Sequence, residues 1–429
     1  MDVEKKKIAV IGAGPMGLAC AYHLVKQSHM VDIYEADDRL GGMSASFDFD
    51  GLTIERYYHF ICKTDTALFE LLAELNLSDT LRWQNTQMGF YYQGKLYPWG
   101  SPSHLLTFPK LDFISKIRYA LHVLYAKNVR NWDKLDQQNA TTWIKKWIGN
   151  KAYNLLWDYL FELKFYEYKH NISAAWIGTR IKRVALSRKN VFTETLGYLE
   201  KGSDTLLNAL QHAIEKKQGK IYLKHPIEQV VIENDQVQGI KLKGEMLPYD
   251  TVISTVPLPY VPRLIPQLPQ AVLDKIHAIQ NCGVVCVILK LSHPLTVNFW
   301  LNINDEHIHV PGFVEYTNLS PLDDHILYAP FYMPHTHAHY KNSDEYFLQA
   351  TLAYCQRVNP EFSQSWIKAT RVSRYDYAQP ICSPDFYNQL PAIKTPIKGL
   401  LVADTSYYYP EDRSISESVQ LGKELANLV

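Results

Sequence analysis

Gly12-Ala13-Gly14-Pro15-Met16-Gly17 stands between an apolar run, Ile8-Ala9-Val10-Ile11, and an amphipathic stretch from Met16 to Lys26. A G-x-G-x-x-G turn in that setting confines the local chain to a strand, a tight turn and a helix lying close on the strand. Gly12 permits the turn, Gly14 lets the backbone approach a pyrophosphate, and Gly17 lets the helix close onto the strand. Pro15 suits the first helical turn. Unpaired amides at the helix start, together with the helix dipole, attract phosphate. A second apolar run, Val31-Asp32-Ile33-Tyr34, ends at Glu35, about 20 residues on, where a carboxylate accepts from a ribose and repels a 2′-phosphate. The unit specifies a dinucleotide and leaves NAD and FAD undivided.

Glu35-Ala36-Asp37-Asp38-Arg39-Leu40-Gly41-Gly42 resembles the E-A-x-x-R-x-G-G continuation of the flavin superfamily that holds amine oxidases, protoporphyrinogen oxidase and phytoene desaturases. The resemblance implies FAD, with Glu35, Ala36, Arg39, Gly41, Gly42 and Met43 at the cofactor. A glycine pair brings amides against phosphate and a guanidinium adds a charged donor. Further on, Lys398-Gly399-Leu400-Leu401-Val402-Ala403-Asp404 reads as a buried strand ending on an acid, before a helix opened by Ser414-Ile415-Ser416-Glu417. Ser414 and Glu417 have the spacing of a capping box. The resemblance implies that Asp404 bonds a ribityl hydroxyl and that the amides near Ile415 and Ser416 face the flavin pyrimidine edge. Gly197 to Ser203, followed by Leu206–Lys216 and Ile221 to Val230, is similar to the family's central helix and adenine-side strand, with Ile227 at the adenine. Relatives commonly have two glycines where this chain has Lys201-Gly202, and Gly-Asp where it has Ala403-Asp404. Some attach flavin to a cysteine in the last motif; Thr405-Ser406-Tyr407-Tyr408-Tyr409 has none, which implies non-covalent FAD.

The implied fold is α/β, a three-layer Rossmann-type FAD-binding domain interleaved with a substrate domain of mixed sheet plus helical cap. Residues 1–95, 195–260 and 395–429 are assigned to the first, 96–194 and 261–394 to the second. Apolar spacing predicts helices over Phe113–Lys127, Ala140–Trp147, Asn154–Phe161 and near 343–357, and strands over Val284–Leu291 and near 308–316 and 326–332.

Glu55-Arg56-Tyr57-Tyr58-His59-Phe60 is predicted as a strand, with Glu55, Tyr57 and His59 on one face and Arg56, Tyr58 and Phe60 on the other. In relatives this segment runs beside the isoalloxazine, making His59 a candidate acid/base and Tyr57 or Tyr58 a stacking wall; a structural histidine among aromatic neighbours accounts for the same residues. Amine oxidases carry a lysine at a position aligned here with Cys282–Cys286, which has none, and Lys290 lies four residues on. The resemblance therefore favours carbon–carbon desaturation or a related dehydrogenation, by hydride transfer from an organic substrate to flavin N5. Two rivals stand beside it: a sugar-nucleotide mutase of the UDP-galactopyranose mutase type, because Tyr57-Tyr58-His59-Phe60 is similar to its aromatic-histidine segment, and a non-catalytic flavin-bound scaffold.

Forty-four basic residues balance 44 acidic ones, so the chain lacks the footprint of a nucleic-acid binder. A small-molecule substrate, lipophilic or sugar-linked, is expected. The start, Met1-Asp2-Val3-Glu4-Lys5-Lys6-Lys7, is charged and leads directly into the first strand, so a cytoplasmic protein is expected. Residues 105–130 mix apolar and basic side chains as a helix on an anionic membrane surface does, or as a core-facing helix with a solvated basic side does. Arg180, Lys182, Arg183 and Arg188 read either as a grip on an anion or as a solvated face, and Asp412 and Arg413 either bound the pocket or pair together. His335, His337 and His339 alternate without an acidic or cysteine partner nearby, and no metal is expected.

Overall fold

The computed structural model describes residues 5–190 and 192–429. The first four residues of the charged start lie outside the described residues.

Lys7–Ile11 is the middle strand of a five-stranded parallel sheet, in the order Leu400–Val402, Thr251–Ser254, Lys7–Ile11, Met30–Tyr34, Lys220–Tyr222. Alternation along the first strand decides the layers. Ile8 and Val10 pack under the helices Pro15–Lys26, Asp204–Lys216 and Ile415–Asn427. Ala9 and Ile11 face the opposite side, where Val230, Val237 and Ile240 of the antiparallel sheet Gln229–Glu233, Gln236–Leu242, Glu245–Pro248 cover them. Helix, parallel sheet and small sheet make the three layers. The first and last helices lie so close that a Cβ added at Gly422 would come 2.5 Å from the Met16 carbonyl oxygen.

The second sheet has seven strands, in the order Ile367–Pro380, Asn281–Leu291, His325–Met333, Gly312–Glu315, Trp300–Asn304, Met88–Tyr92, Lys95–Trp99. Pairing is antiparallel except between Trp300–Asn304 and Met88–Tyr92. The boundary drawn at residue 95 is therefore corrected: Met88–Tyr92 hydrogen-bonds to Trp300–Asn304, which places this hairpin in the substrate sheet. Near 308–316 only Gly312–Glu315 is a strand.

The cap holds Phe113–Asn128, Ala140–Tyr153, Tyr159–Phe165 and Ala174–Leu186. Asp112, Asn139 and Ser173 cap three of these helices with side-chain oxygens, which satisfies amides the helix itself leaves free. Ala140–Tyr153 runs past the predicted end at Trp147 with a kink at Gly149, and Asn154–Asp158 is a π-helical turn before the next helix.

The strand predicted over Glu55–Phe60 ends at Glu55. His59 Nδ1 lies 2.6 Å from Glu55 Oε2, whereas four residues of extended chain would separate them by about 13 Å. The backbone bends after Glu55, and the face assignment for Arg56 to Phe60 does not hold.

Candidate functional site

The glycine turn is built as its spacing requires. Gly12 has φ +106°, and a Cβ on Gly17 would lie 2.0 Å from the Gly12 carbonyl oxygen. Gly14, the N-cap, has an ordinary φ of −70° and no side-chain cap, and a Cβ there would meet nothing within 4 Å. It faces a cavity, so the first-turn amides of Pro15–Lys26 are left for a ligand. Glu35 is held beside the turn: Oε2 accepts from the Ala13 N–H at 2.8 Å and Oε1 from the Asp37 N–H at 2.8 Å.

The cavity is continuous, about 970 Å³, from this turn to the seven-stranded sheet. Gly12, Gly14, Pro15, Met16, Glu35, Ala36, Gly42, Met43, Ile227, Asp404 and Ile415 line it. Asp404 is buried; its Oδ2 accepts from the Leu258 N–H and its Oδ1 from the Ser406 N–H, both at 2.8 Å. Burial raises its pKa against those bonds. Ser414 caps the last helix by accepting from the Glu417 N–H at 3.1 Å. Only that arm of the capping box forms among the described residues, and partial burial, then Glu411, push the half-buried Glu417 carboxyl up to about 7.

Four expected contacts stand behind the wall. Gly17 serves the strand–helix approach, and the Gly41 N–H donates to the Ala13 carbonyl at 2.9 Å, fixing the loop against the turn. Ser416 Oγ accepts from the Leu68 N–H. Arg39 donates to Asp38 and to the Ser46 carbonyl, away from the cavity. Arg56, which the sequence reading did not single out, lines it instead and pairs with Asp37.

At the far end the walls are aromatic. Tyr57 meets Tyr375 edge-on at 6.3 Å, and Tyr58 meets Trp300 at 5.6 Å and Tyr328 at 5.7 Å. Burial holds the Tyr57 and Tyr58 phenols far above their ordinary pKa, so both stay protonated. His59 lies among them with its Nε2 3.4 Å from Ser44 Oγ. Glu55, its Nδ1 partner, is buried and accepts through Oε1 from the Ser203 N–H at 2.8 Å and hydroxyl at 2.6 Å. With Glu55 as the acceptor on that side, the ring proton sits on Nδ1, and Nε2, facing Ser44 Oγ, is the accepting nitrogen. Lys290 is elsewhere, held by Asp50 and Asp324; the strand Asn281–Leu291 gives the cavity Val284 and Cys286.

An uncapped helix start, an open Gly14 face, an acid at the ribose position and a buried acid at the other end fit a flavin dinucleotide. The sequence profile of the flavin containing amine oxidoreductase family matches residues 17–408. The chain belongs to this family. Its cofactor is FAD, and the chain spans between about half and two thirds of the length of the curated desaturases it matches. Over 321 residues the flavoenzyme is 24% identical to 15-cis-phytoene desaturase of Synechococcus elongatus, covering 68% of this chain and 66% of that one. With the zeta-carotene desaturase of Solanum lycopersicum it shares 26% over 324 residues, 67% of this chain and 54% of the relative. The cyclohexylamine oxidase of Brevibacterium oxydans has the same fold, with a TM-score of 0.73 at 15% identity over 99% of this chain and 98% of that one. The mutase reading gains no support from these matches.

Other residues at the flavoenzyme's cavity carried mixed signals. Arg183 and Asp412 line it with Arg413, whereas Lys182 turns away to the Val129 carbonyl. Arg188 donates to the Gly100 carbonyl. Lys164 also lines the cavity, and no local pattern in the sequence marked it. His337 accepts from the His339 N–H, and His339 lies between the hydroxyls of Tyr166 and Tyr346. Among the described residues no cluster of metal-ligating side chains occurs.

Proposed function

We propose that the flavoenzyme desaturates, or dehydrogenates in a related way, a largely apolar organic substrate. One observation carries this reading: a single cavity joins the dinucleotide turn to an aromatic chamber in which a buried carboxylate orients an imidazole. Bound FAD, held without a covalent link, supplies a two-electron acceptor for hydride. The residues of the chain bind, align and move the proton. Tyr57, Tyr58 and Trp300 wall the chamber, hold an apolar chain or ring against one face and exclude water. His59 Nε2 takes the proton from the carbon adjacent to the one that gives up hydride, so a carbon–carbon double bond forms. Glu55 keeps the imidazole in the accepting tautomer and stabilises the cation that results. Asp404, Ile415 and the first turn of the last helix bound the flavin end. The desaturase relatives support a substrate of this class, and their greater length leaves substrate identity to experiment.

Among the described residues no helix is long and apolar enough to cross a membrane. The helix Phe113–Asn128 nevertheless exposes large apolar side chains, and with its basic neighbours it is the surface through which the enzyme meets an anionic lipid bilayer.

The test is anaerobic bleaching of the FAD-loaded protein by pools of polyprenoids, porphyrinogens and amines. Bleaching by the polyprenoid or porphyrinogen pool is the expected result. Bleaching by amines alone overturns the desaturation reading.

A further inference from the structure

Lys164, Arg183 and Arg413 line one wall of the cavity with Arg180 behind it, and two carboxylates answer two of these four cations. Arg180 Nη2 donates to Asp412 Oδ1 at 2.6 Å, and Arg183 Nη2 donates to Asp65 Oδ2 at 2.9 Å. Lys164 and Arg413 have no such partner. Arg413 donates through Nη1 to the Ala378 carbonyl and through Nη2 to Gln379 Oε1 at 2.9 Å, both neutral, and its buried Nε has no acceptor. Lys164 Nζ has no hydrogen-bond or ion-pair partner among the described residues; it lies 5.6 Å from the centre of the Tyr332 ring. Both side chains line the cavity.

Both residues are half-buried at the cavity wall, and a partly desolvated cation without an anion gains from one that enters. The strain shows in the neighbouring groups. Burial, then Arg180 and Arg413, push the Lys164 ammonium down to about 7. Burial alone would raise Asp412, yet Arg180, Arg413, Lys164 and Arg183 together hold it well below the usual carboxylate range. One acid is thus shared among several cations, and the nearby phenols of Tyr58 and Tyr332 are kept neutral by burial. The two unanswered cations come from different parts of the chain. Lys164 is on the cap helix Tyr159–Phe165 and faces Tyr332 on the substrate sheet, whereas Arg413 precedes the N-cap of the last helix. The pyrophosphate cradle is at Gly12–Gly17, the other end of the cavity.

We infer that Lys164 and Arg413 form a subsite for an anionic group, a carboxylate or a phosphate, carried by the substrate. The inference rests on the proposed dehydrogenation only in assigning that anion to the substrate. A guanidinium and an ammonium from two elements fix an anion at two points. An otherwise apolar molecule is thereby held in one orientation, with the same carbon always presented to His59.

The FAD-loaded, oxidised enzyme is titrated with benzoate and, separately, with inorganic phosphate, following the visible flavin band. At least one probe is expected to perturb it saturably, and the two arms separate a carboxylate site from a phosphate site. Lys164→Met and Arg413→Gln should each weaken binding about 10-fold or more, the loss expected for one charge-assisted hydrogen bond. Lys164→Arg should restore most of it, and Lys182→Met on the neighbouring helix should change nothing. Flavin content checks that each variant is folded. No saturable response to either probe, or unchanged affinity in Lys164→Met, overturns the subsite. A lowered flavin midpoint potential in Arg413→Gln with unchanged anion affinity also overturns it, assigning the arginine to the flavin. No turnover is needed, so anion binding without bleaching by any substrate would sink the dehydrogenation reading alone.

Discussion

His59 Nδ1 and Glu55 Oε2 are 2.6 Å apart, and the second oxygen of Glu55 is held by the Ser203 amide and hydroxyl. The imidazole is therefore tied, through one buried carboxylate, to the start of the central helix Asp204–Lys216. His59→Gln should retain FAD and lower the rate of flavin reduction by about 100-fold or more, the usual contribution of a positioned base. Glu55→Gln should also slow reduction and, by disturbing the Ser203 contacts, lower the melting temperature. Stopped-flow reduction separates the two effects. A His59→Gln enzyme that reduces its flavin at the wild-type rate removes His59 from the chemistry.

Gly14 and Gly17 make a sharper pair than either alone. Gly14→Ala adds a methyl to open space at an unstrained φ, so the apoprotein should melt as wild type does while FAD affinity falls about 10-fold. Gly17→Ala drives the methyl against the Gly12 carbonyl and Thr255 Oγ1, and should destabilise the apoprotein by about 1–3 kcal/mol. Melting curves without FAD and a flavin-fluorescence titration measure the two quantities separately. Equal melting losses in both variants would mean that the face of Gly14 is not open.

The contrast between those glycines also explains what was legible. Gly12, Gly17, Glu35 and Asp404 are set by backbone geometry over a few consecutive residues, and their order alone places them on one sheet edge. The Glu55–His59 contact was hidden because a tyrosine-rich run after a turn reads as an extended strand, and only packing against Tyr328 and Trp300 shows that it bends. Arg39 follows the family spacing yet turns to the Ser46 carbonyl, leaving Arg56 at the wall. Lys164 and Arg413 meet from opposite halves of the chain, where no periodicity or local spacing can link them. Met88–Tyr92 was misassigned for a similar reason: its partner, Trp300–Asn304, lies some 210 residues on.

His122 gives a pH-dependent outcome. It is fully buried against Trp143 and Trp147, neither ring nitrogen has a partner, and burial pushes its pKa down from 6.5 to about 4. The unfolded chain takes up the proton first as pH falls. The neutral ring's contribution is therefore fully present above about pH 6.5 and is lost toward pH 4, by about 3 kcal/mol. Glu315 and Glu417, each raised to about 7 by burial, titrate in the same window with the opposite sign. The informative quantity is the difference between wild type and His122→Phe in urea unfolding at pH 7.5 and at pH 5, at fixed FAD. The variant should gain on wild type at the lower pH; an unchanged difference would show that His122 is not neutral by burial.

The helix Phe113–Asn128 is apolar on the face it turns outward. At about 100° per residue, Ser115, His122 and Ala126 point into the cap, while Phe113, Ile114, Ile117, Leu121, Leu124 and Tyr125 fall within one outward arc. Phe113 is 68% and Ile114 69% exposed, and Leu106 extends the patch at 60%. A contiguous apolar stripe of this kind marks a contact surface. Lys127 flanks it and Arg130 lies beyond its end, a rim complementary to anionic headgroups, each worth about 1 kcal/mol near such a surface; Lys116 and Lys110 are tied to the Leu106 carbonyl and to Gln93. Arg118 is excluded from that rim because it donates to the carbonyls of Lys146 and Trp147. The FAD-loaded enzyme should therefore cosediment with vesicles containing phosphatidylglycerol, bind neutral phosphatidylcholine vesicles much less, and be released by salt. Ile114→Glu with Leu121→Glu should abolish sedimentation without loss of flavin. If wild type instead elutes as a dimer that the double variant converts to a monomer, and neither binds vesicles, the stripe is an interface between two copies and the membrane assignment fails. Binding unaffected by the double variant would place the lipid contact on another surface.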